Sequence, residues 1–152
     1  MNKEALIQLA RLRAAQFSLP PALVCAVIEQ ESRWNPWAVR YEPDFQEKYI
    51  VPLKQAAQLK TFGASMNTEM VARSCSFGLM QTMGEVAREA GADFAFLTEL
   101  CNPERGLEFG CSHLAKKLEK AGGDTTRALQ LWNGGGNPLY ATEVLARTRN
   151  YA

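Results

Sequence analysis

The sequence has 152 residues, of which 47% are hydrophobic, and its 17 Lys and Arg nearly balance its 16 Asp and Glu. This length and composition predict one globular domain over residues 1–152 that buries its own core. Neither the positive nor the negative residues form a block, which argues against a nucleic-acid partner. No apolar run reaches the roughly 18–20 residues of a membrane span, which argues against an integral membrane segment.

The periodicity of apolar residues predicts a mainly α-helical protein. Proline, glycine and capping residues set the ends of the predicted helices. A short strand at 37–41, pairing in one small hairpin, is the only β-structure expected. The first predicted helix covers 3–17, and the second has its cap at Ser18 or Leu19, takes the prolines into its first turn and runs to about Arg33. The later predicted helices cover 53–59, 84–90, a short turn at 94–100, 103–120, 125–132, and a last helix that carries Tyr140, Val144 and Leu145.

The region 37–73 has a weaker pattern than the rest. Pro43 and Pro52 interrupt it, and 61–67 is rich in loop-forming residues. We expect this region to be an insertion, or lobe segment, that walls one side of a cleft.

The N-terminus and the cysteines indicate where the chain is made. The first residues contain no long apolar segment and no cleavage pattern, so we expect synthesis in the cytoplasm without a signal peptide. Cys25 lies within an apolar helical run and Cys111 lies on an apolar helical stripe, so both are predicted to be buried, reduced thiols. A single histidine, His113, and the lack of a Cys-x-x-Cys pair predict no metal site.

One acidic residue lies where the pattern expects an apolar one. Leu23, Val24, Val27 and Ile28 form the apolar stripe of the second helix, and Glu31 continues it. Desolvation and the negative end of the helix dipole both disfavour a charged carboxylate there, so we expect a raised pKa and a candidate general acid. The alternative is a boundary glutamate that reaches solvent.

Three short sequence motifs, one of which begins with this glutamate, follow one another along the chain. They are Glu31-Ser32-Arg33-Trp34-Asn35-Pro36, Gly78-Leu79-Met80-Gln81, and Ala128-Leu129-Gln130-Leu131-Trp132-Asn133-Gly134-Gly135. Together they resemble the signature motifs of the soluble lytic transglycosylase catalytic domain, a lysozyme-like family related to goose-type lysozyme. The segment 40–43 makes the chain most similar to phage or prophage members.

The resemblance implies a two-lobed helical domain with a central cleft that binds the glycan strand of peptidoglycan as a monomer. It also implies cleavage between N-acetylmuramic acid and N-acetylglucosamine. Glu31 matches the single catalytic glutamate. The implied substrate-binding residues are Ser32, Gly78, Leu79, Met80, Gln81, Trp132, Asn133 and Tyr140.

Trp132 departs from the family pattern, which has a tyrosine whose hydroxyl faces the catalytic carboxyl. An indole donates one hydrogen bond through its N–H but has no hydroxyl. Trp132 is therefore expected either to form an apolar wall beside Glu31 or to leave the hydroxyl role to Tyr140 or Tyr41.

The resemblance implies a transglycosylase that uses one carboxyl and forms a 1,6-anhydromuramyl product. One alternative is a hydrolytic muramidase in which Glu42 or Asp44 holds a water. The other is a non-catalytic peptidoglycan-binding or structural subunit whose Trp34, Trp37 and Trp132 stack on sugars. Because the wall lies outside the cytoplasmic membrane, we expect an enzyme released at lysis or carried in a virion.

Overall fold

The computed structural model describes all residues from Met1 to Ala152 and is mainly helical, with one three-stranded antiparallel sheet. This confirms the predicted fold class. The chain forms two compact units. The first contains residues 1–34 and 110–152, and the second contains residues 35–109.

The first unit is built from helices whose ends follow the predicted caps. It contains α1 (Lys3–Gln16), α2 (Pro21–Ser32), the C-terminal part of α7 (Pro103–Lys120), α8 (Thr125–Asn133) and α9 (Tyr140–Thr148). The Asp124 side chain accepts a hydrogen bond from the Arg127 N–H at 3.0 Å and so begins α8. Helix α2 packs on α1 and α9, and α8 packs on α9.

Helix α2 is more deeply buried than its predicted stripe. All six residues from Leu23 to Ile28 are buried, including Cys25 and Ala26, which are not on that stripe. A helix that is apolar on all sides belongs inside a core. Helix α2 is therefore enclosed by the core along residues 23–28, and Glu31 lies in the partly buried turn that follows.

The second unit contains the sheet. Strand β1 (Val39–Tyr41) pairs with β2 (Cys75–Phe77), which pairs with β3 (Thr82–Met83). Residues 78–81 connect β2 to β3 as a hairpin turn. The helix that follows, α6 (Gly84–Glu89), begins only after β3.

The region 37–73 is more regular than its sequence pattern indicates. It contains β1, then α3 (Pro43–Phe45), a π-helical turn (Gln46–Ile50) and α4 (Val51–Gln55) in uninterrupted succession, and then α5 (Met66–Arg73). The predicted helix 53–59 is therefore wrong in its bounds. The Val51 N–H bonds to the Gln46 carbonyl five residues back, so the chain passes Pro52 without ending the helix.

Helix α5 was not predicted because it turns charged residues inward. Glu69 accepts hydrogen bonds from Arg73 and Arg88, and Glu85 accepts one from Arg73 at 3.1 Å. All four side chains are buried. A buried ion network of this kind has no apolar periodicity, so the sequence pattern gives no sign of the helix.

The remaining elements match their predictions closely. The 3-10 turn Leu97–Cys101 follows α6, and Asn102 caps α7 by accepting hydrogen bonds from the N–H groups of Glu104 and Arg105. Cys25, Cys75, Cys101 and Cys111 are all buried and none is joined in a disulfide. None of the helices combines the length and the apolar character that a membrane crossing requires.

Candidate functional site

The carboxyl group of Glu31, in the last turn of α2, accepts two hydrogen bonds on one oxygen. The Tyr140 hydroxyl donates to Oε1 at 2.5 Å, and the Trp132 indole N–H donates to the same oxygen at 2.9 Å. Glu31 is only partly exposed. Three elements of the first unit, α2, α8 and α9, therefore converge on this carboxyl.

The positions of the two donors follow from their helices. Trp132 is the penultimate residue of α8, which ends where Gly134 takes the left-handed conformation (φ 69°). Tyr140 is the first residue of α9 and is buried. The glycine-rich loop between them reverses the chain, so that the end of one helix and the start of the next meet at Glu31.

Tyr140 is a phenol that stays protonated. Burial and the neighbouring Glu31 carboxylate raise the pKa of Tyr140 far above its ordinary value. Its O–H is thus a permanent donor to Glu31. Tyr140 therefore makes the hydroxyl contact to Glu31 Oε1 that an indole cannot make, and the Trp132 N–H donates to the same oxygen. The Tyr41 hydroxyl donates instead to Gln46 at 3.0 Å, within the second unit.

The indole ring of Trp132 packs against the imidazole ring of His113. The two ring centroids are 5.4 Å apart, with the rings tilted by 51°. Burial, together with the charges of Lys117 and Lys116, lowers the pKa of His113 to about 4. The imidazole is therefore neutral at physiological pH and packs as an aromatic ring.

The chain leaves α2 through an unusual turn. Arg33 and Trp34 both have left-handed backbone conformations (φ 51° and 67°), which cost free energy for residues with side chains. Trp34 is buried, and its indole N–H donates to the Tyr151 hydroxyl at 2.8 Å. Arg11 in turn donates to the Tyr151 carbonyl at 3.0 Å. The C-terminal residues thus hold the end of the helix that carries Glu31.

A second group of hydrogen bonds joins the same helices beside Glu31. Glu143 Oε2 accepts from Gln30 Nε2 at 2.9 Å and from Asn137 Nδ2 at 3.0 Å. The Arg147 Nε–H donates to Gln30 Oε1 at 2.9 Å. Gln30 therefore links α2 to α9.

Asn133 and Ser32, two of the predicted binding residues, are engaged with their own unit. Asn133 Nδ2 donates to the Asn137 carbonyl at 3.2 Å, across the glycine-rich loop. The Ser32 hydroxyl donates to the Ile28 carbonyl at 3.2 Å, one turn back in α2. The first bond orders the loop, and the second anchors the hydroxyl beside Glu31.

The predicted residues Gly78, Leu79, Met80 and Gln81 form the hairpin turn of the second unit. The Gln81 side chain accepts from the Ser76 hydroxyl at 2.9 Å and donates to the carbonyls of Ala38 and Gly78, each at 3.0 Å. Leu79 and Met80 are buried. The turn is therefore held by its own side chains, with the Gln81 amide as the central connector.

Gly78 is required at its position for steric reasons. Its φ of +73° is left-handed, and a Cβ there would lie 2.5 Å from the Leu100 carbonyl oxygen. Any other residue would move the turn away from the 3-10 segment behind it. Gly78 therefore shapes the turn through its backbone.

The alternative second carboxylates lie in the second unit. Glu42 forms an ion pair with Arg40 at 2.9 Å, and Asp44 lies in the first turn of α3. No group of three or more His, Cys, Asp or Glu side chains is arranged to hold a metal ion.

Gln30, Glu143 and Tyr151 were missed by the sequence reasoning. Each acts through a contact between residues more than a hundred positions apart. Only the three-residue spacing of Tyr140 and Glu143, which puts both on one side of α9, gave any sign of this.

Comparison with known proteins adds one match. Residues 8–151, nearly the entire chain, match the Transglycosylase SLT domain family. No solved structure matches the chain at a significant level. The family match covers both units, including Glu31, the hairpin turn and the α8–α9 region. The chain therefore belongs to the Transglycosylase SLT domain family, whose lysozyme-like enzymes cleave the peptidoglycan of the bacterial cell wall by lytic transglycosylation.

Proposed function

We propose that this protein cleaves the β-1,4 bond between N-acetylmuramic acid and N-acetylglucosamine, with Glu31 as its single catalytic carboxyl and a 1,6-anhydromuramyl end as product. The observation that carries the proposal is the convergence of Tyr140 and Trp132 on Glu31 Oε1. A partly exposed glutamate held by two side-chain donors at the end of a buried helix is oriented for a task that a surface glutamate does not need.

The two donors determine which oxygen carries the proton. Oε1 accepts from the Tyr140 hydroxyl and the Trp132 indole N–H, so a proton placed on Oε1 would displace at least one of these donors. In the neutral acid the proton therefore resides on Oε2. We assign Oε2 as the atom that donates to the glycosidic oxygen.

In the first step, Glu31 Oε2 gives its proton to the glycosidic oxygen as the bond from that oxygen to the muramyl C1 breaks. N-acetylglucosamine leaves as an alcohol, and the substrate's own acetamido oxygen bonds to C1. The carboxylate formed on Glu31 keeps its bonds from Tyr140 and Trp132, which stabilise the negative charge.

In the second step, Glu31 removes the proton from the muramyl C6 hydroxyl. That oxygen attacks C1 and displaces the acetamido oxygen, which closes the 1,6-anhydro ring. Glu31 ends in its starting protonation state and no water is consumed. The scheme needs no metal and no cofactor.

The other site residues support this chemistry through substrate binding. Ser32 and Asn133 lie beside the carboxyl and its loop. The hairpin turn 78–81, which the Gln81 amide holds in shape, presents its backbone on a fixed frame. We assign these residues, with Trp132 and Tyr140, to contacts with the glycan.

Replacement of Glu31 by Gln tests the proposal. The amide keeps the size of the side chain but supplies no proton, so digestion of purified sacculi should fall by at least about a thousandfold. Glu29→Gln, a matched change two residues earlier in the same helix, should leave digestion near the parent rate. A fully active Glu31→Gln variant would reject the assignment of Glu31.

Mass spectrometry of the digest tests the product. Anhydromuramyl ends, with no uptake of ¹⁸O from labelled water, are expected. Reducing ends that carry ¹⁸O would instead identify a hydrolase and direct attention to Glu42 and Asp44.

A further inference from the structure

Trp37, in the second unit, is a large apolar side chain left on the surface. Its residue is 75% exposed, whereas Trp34 is buried against Tyr151 and Trp132 contacts His113. Single exposed apolar residues are common in folded proteins. Trp37 differs from such residues because hydrogen bonds fix its backbone and join the neighbouring Ala38 to the hairpin turn 78–81.

The backbone around Trp37 is a closed turn. The Trp37 N–H donates to Asn35 Oδ1 at 3.0 Å, and the Ala38 N–H donates to the Asn35 carbonyl at 3.3 Å. Pro36 restricts the remaining residue of the turn. The indole is thus attached to an ordered base, which reduces the conformational entropy lost when a ligand covers it.

The same turn is bonded directly to the hairpin turn 78–81. The carbonyl of Ala38, the next residue, accepts from the Gly78 N–H at 2.8 Å and from Gln81 Nε2 at 3.0 Å. Trp37 and Gln81 therefore belong to one rigid piece of the second unit. A ligand that contacts the Gln81 segment therefore meets the same piece of the second unit that carries Trp37.

We propose that Trp37 is a saccharide-stacking residue, whose indole covers the C–H face of an N-acetylhexosamine ring of the glycan strand. The inference rests on the proposed function, because the glycan contact at residues 78–81 is part of it. An indole offers a flat apolar surface, and Asn35 and Arg40 nearby in the chain supply exposed polar groups for ring substituents. Trp37 contributes to binding and not to the chemical step.

Binding is measured in the Glu31→Gln background, so that the glycan is not consumed. Trp37→Ala should weaken binding to purified sacculi, and to a soluble N-acetylglucosamine tetramer, by about tenfold, while Trp37→Phe keeps most of the affinity. Phe96→Ala removes another exposed aromatic ring of the second unit (52% exposed) and should leave binding unchanged.

Two further measurements separate stacking from a general loss of structure. The tetramer should shift the indole fluorescence of the Glu31→Gln protein to shorter wavelength. This shift should be clearly smaller in Trp37→Phe, in which Trp132 is the remaining indole at the proposed glycan site and whose fold is checked by circular dichroism. In the Glu31 enzyme, Trp37→Ala should raise KM and leave kcat within about twofold.

Unchanged affinity in Trp37→Ala, or a fluorescence shift of the same size in Trp37→Phe, would overturn the proposal and point to a different occupant of this surface. The catalytic assignment fails separately. If Glu31→Gln were fully active, the tetramer affinities would still decide the role of Trp37.

Discussion

At the scale of single residues, the site is defined by one oxygen atom with two donors. A hydrogen bond to a carboxylate favours its charged form, whereas burial favours the neutral form. Glu31 Oε1 accepts from both Tyr140 and Trp132, so these two donors stabilise the carboxylate that forms once the acid has given its proton.

Removal of the Tyr140 hydroxyl tests this stabilisation. Tyr140→Phe keeps the buried ring but removes the phenol donor from Glu31 Oε1, so we expect kcat to fall by about 10- to 100-fold. The rate of release of soluble glycan from sacculi measures the effect. Tyr41→Phe is the matched control, because that hydroxyl bonds to Gln46 in the second unit. Equal rates for Tyr140→Phe and the parent enzyme would remove the phenol from the mechanism.

At the scale of elements, Glu143 joins the two helices on which Glu31 and Tyr140 lie. It accepts from Gln30 of α2 and from Asn137 of the loop before α9. The distance from the Tyr140 hydroxyl to Glu31 Oε1 therefore depends on a contact between α2 and α9 that involves neither residue. Second-layer hydrogen bonds of this kind orient the groups that react.

Glu143→Ala should loosen α9 and destabilise the protein by about 1–2 kcal/mol, because two donors lose a charged acceptor. Urea unfolding measures the stability, and sacculus digestion should show a lower kcat. Glu143→Gln retains an acceptor oxygen and should recover most of both. If the glutamine variant were as impaired as the alanine variant, the charge and not the geometry would be responsible.

The elements also show how far the sequence reasoning reached. Helices with apolar stripes and clear caps, such as α1, α7 and α8, were predicted within a residue or two of their ends. Helix α5 was missed because its inward residues include Glu69 and Arg73, and the 43–55 helical region was misplaced because its π-helical turn tolerates Pro52.

The residues of the site also fall into those that the sequence predicts and those that it does not. Glu31 and Trp132 could be identified because local motifs surround them. The pairing of Tyr140 with Glu31, and that of Gln30 with Glu143, depends on how helices far apart in the chain pack. No local pattern encodes such contacts, so Tyr140 could be named only as one of two candidate hydroxyls.

At the scale of the whole molecule, the stability of the fold depends on pH through His113. Its pKa is about 4 in the folded state and 6.5 in its ordinary state. Between these values an unfolded chain binds a proton that the folded protein does not. The free energy of unfolding is therefore fully retained above pH 6.5 and decreases as the pH falls toward 4.

His113→Gln removes this dependence. Because the imidazole is partly exposed, we expect the parent to lose about 1 kcal/mol more than the variant between pH 7.5 and pH 5. Urea unfolding of both proteins at the two pH values measures the difference. Parallel losses in the two proteins would show that carboxyl groups alone account for the acid sensitivity.

The burial of all four thiols has a consequence for the place where the enzyme works. Peptidoglycan lies in surroundings where exposed cysteines are readily oxidised or mispaired. Burial raises the pKa of each thiol, that of Cys111 to about 12, so little reactive thiolate forms. Only an unfolded molecule would offer its sulfur atoms to an oxidant. The folded enzyme is thereby chemically durable at the wall without the cross-links on which many exported proteins depend.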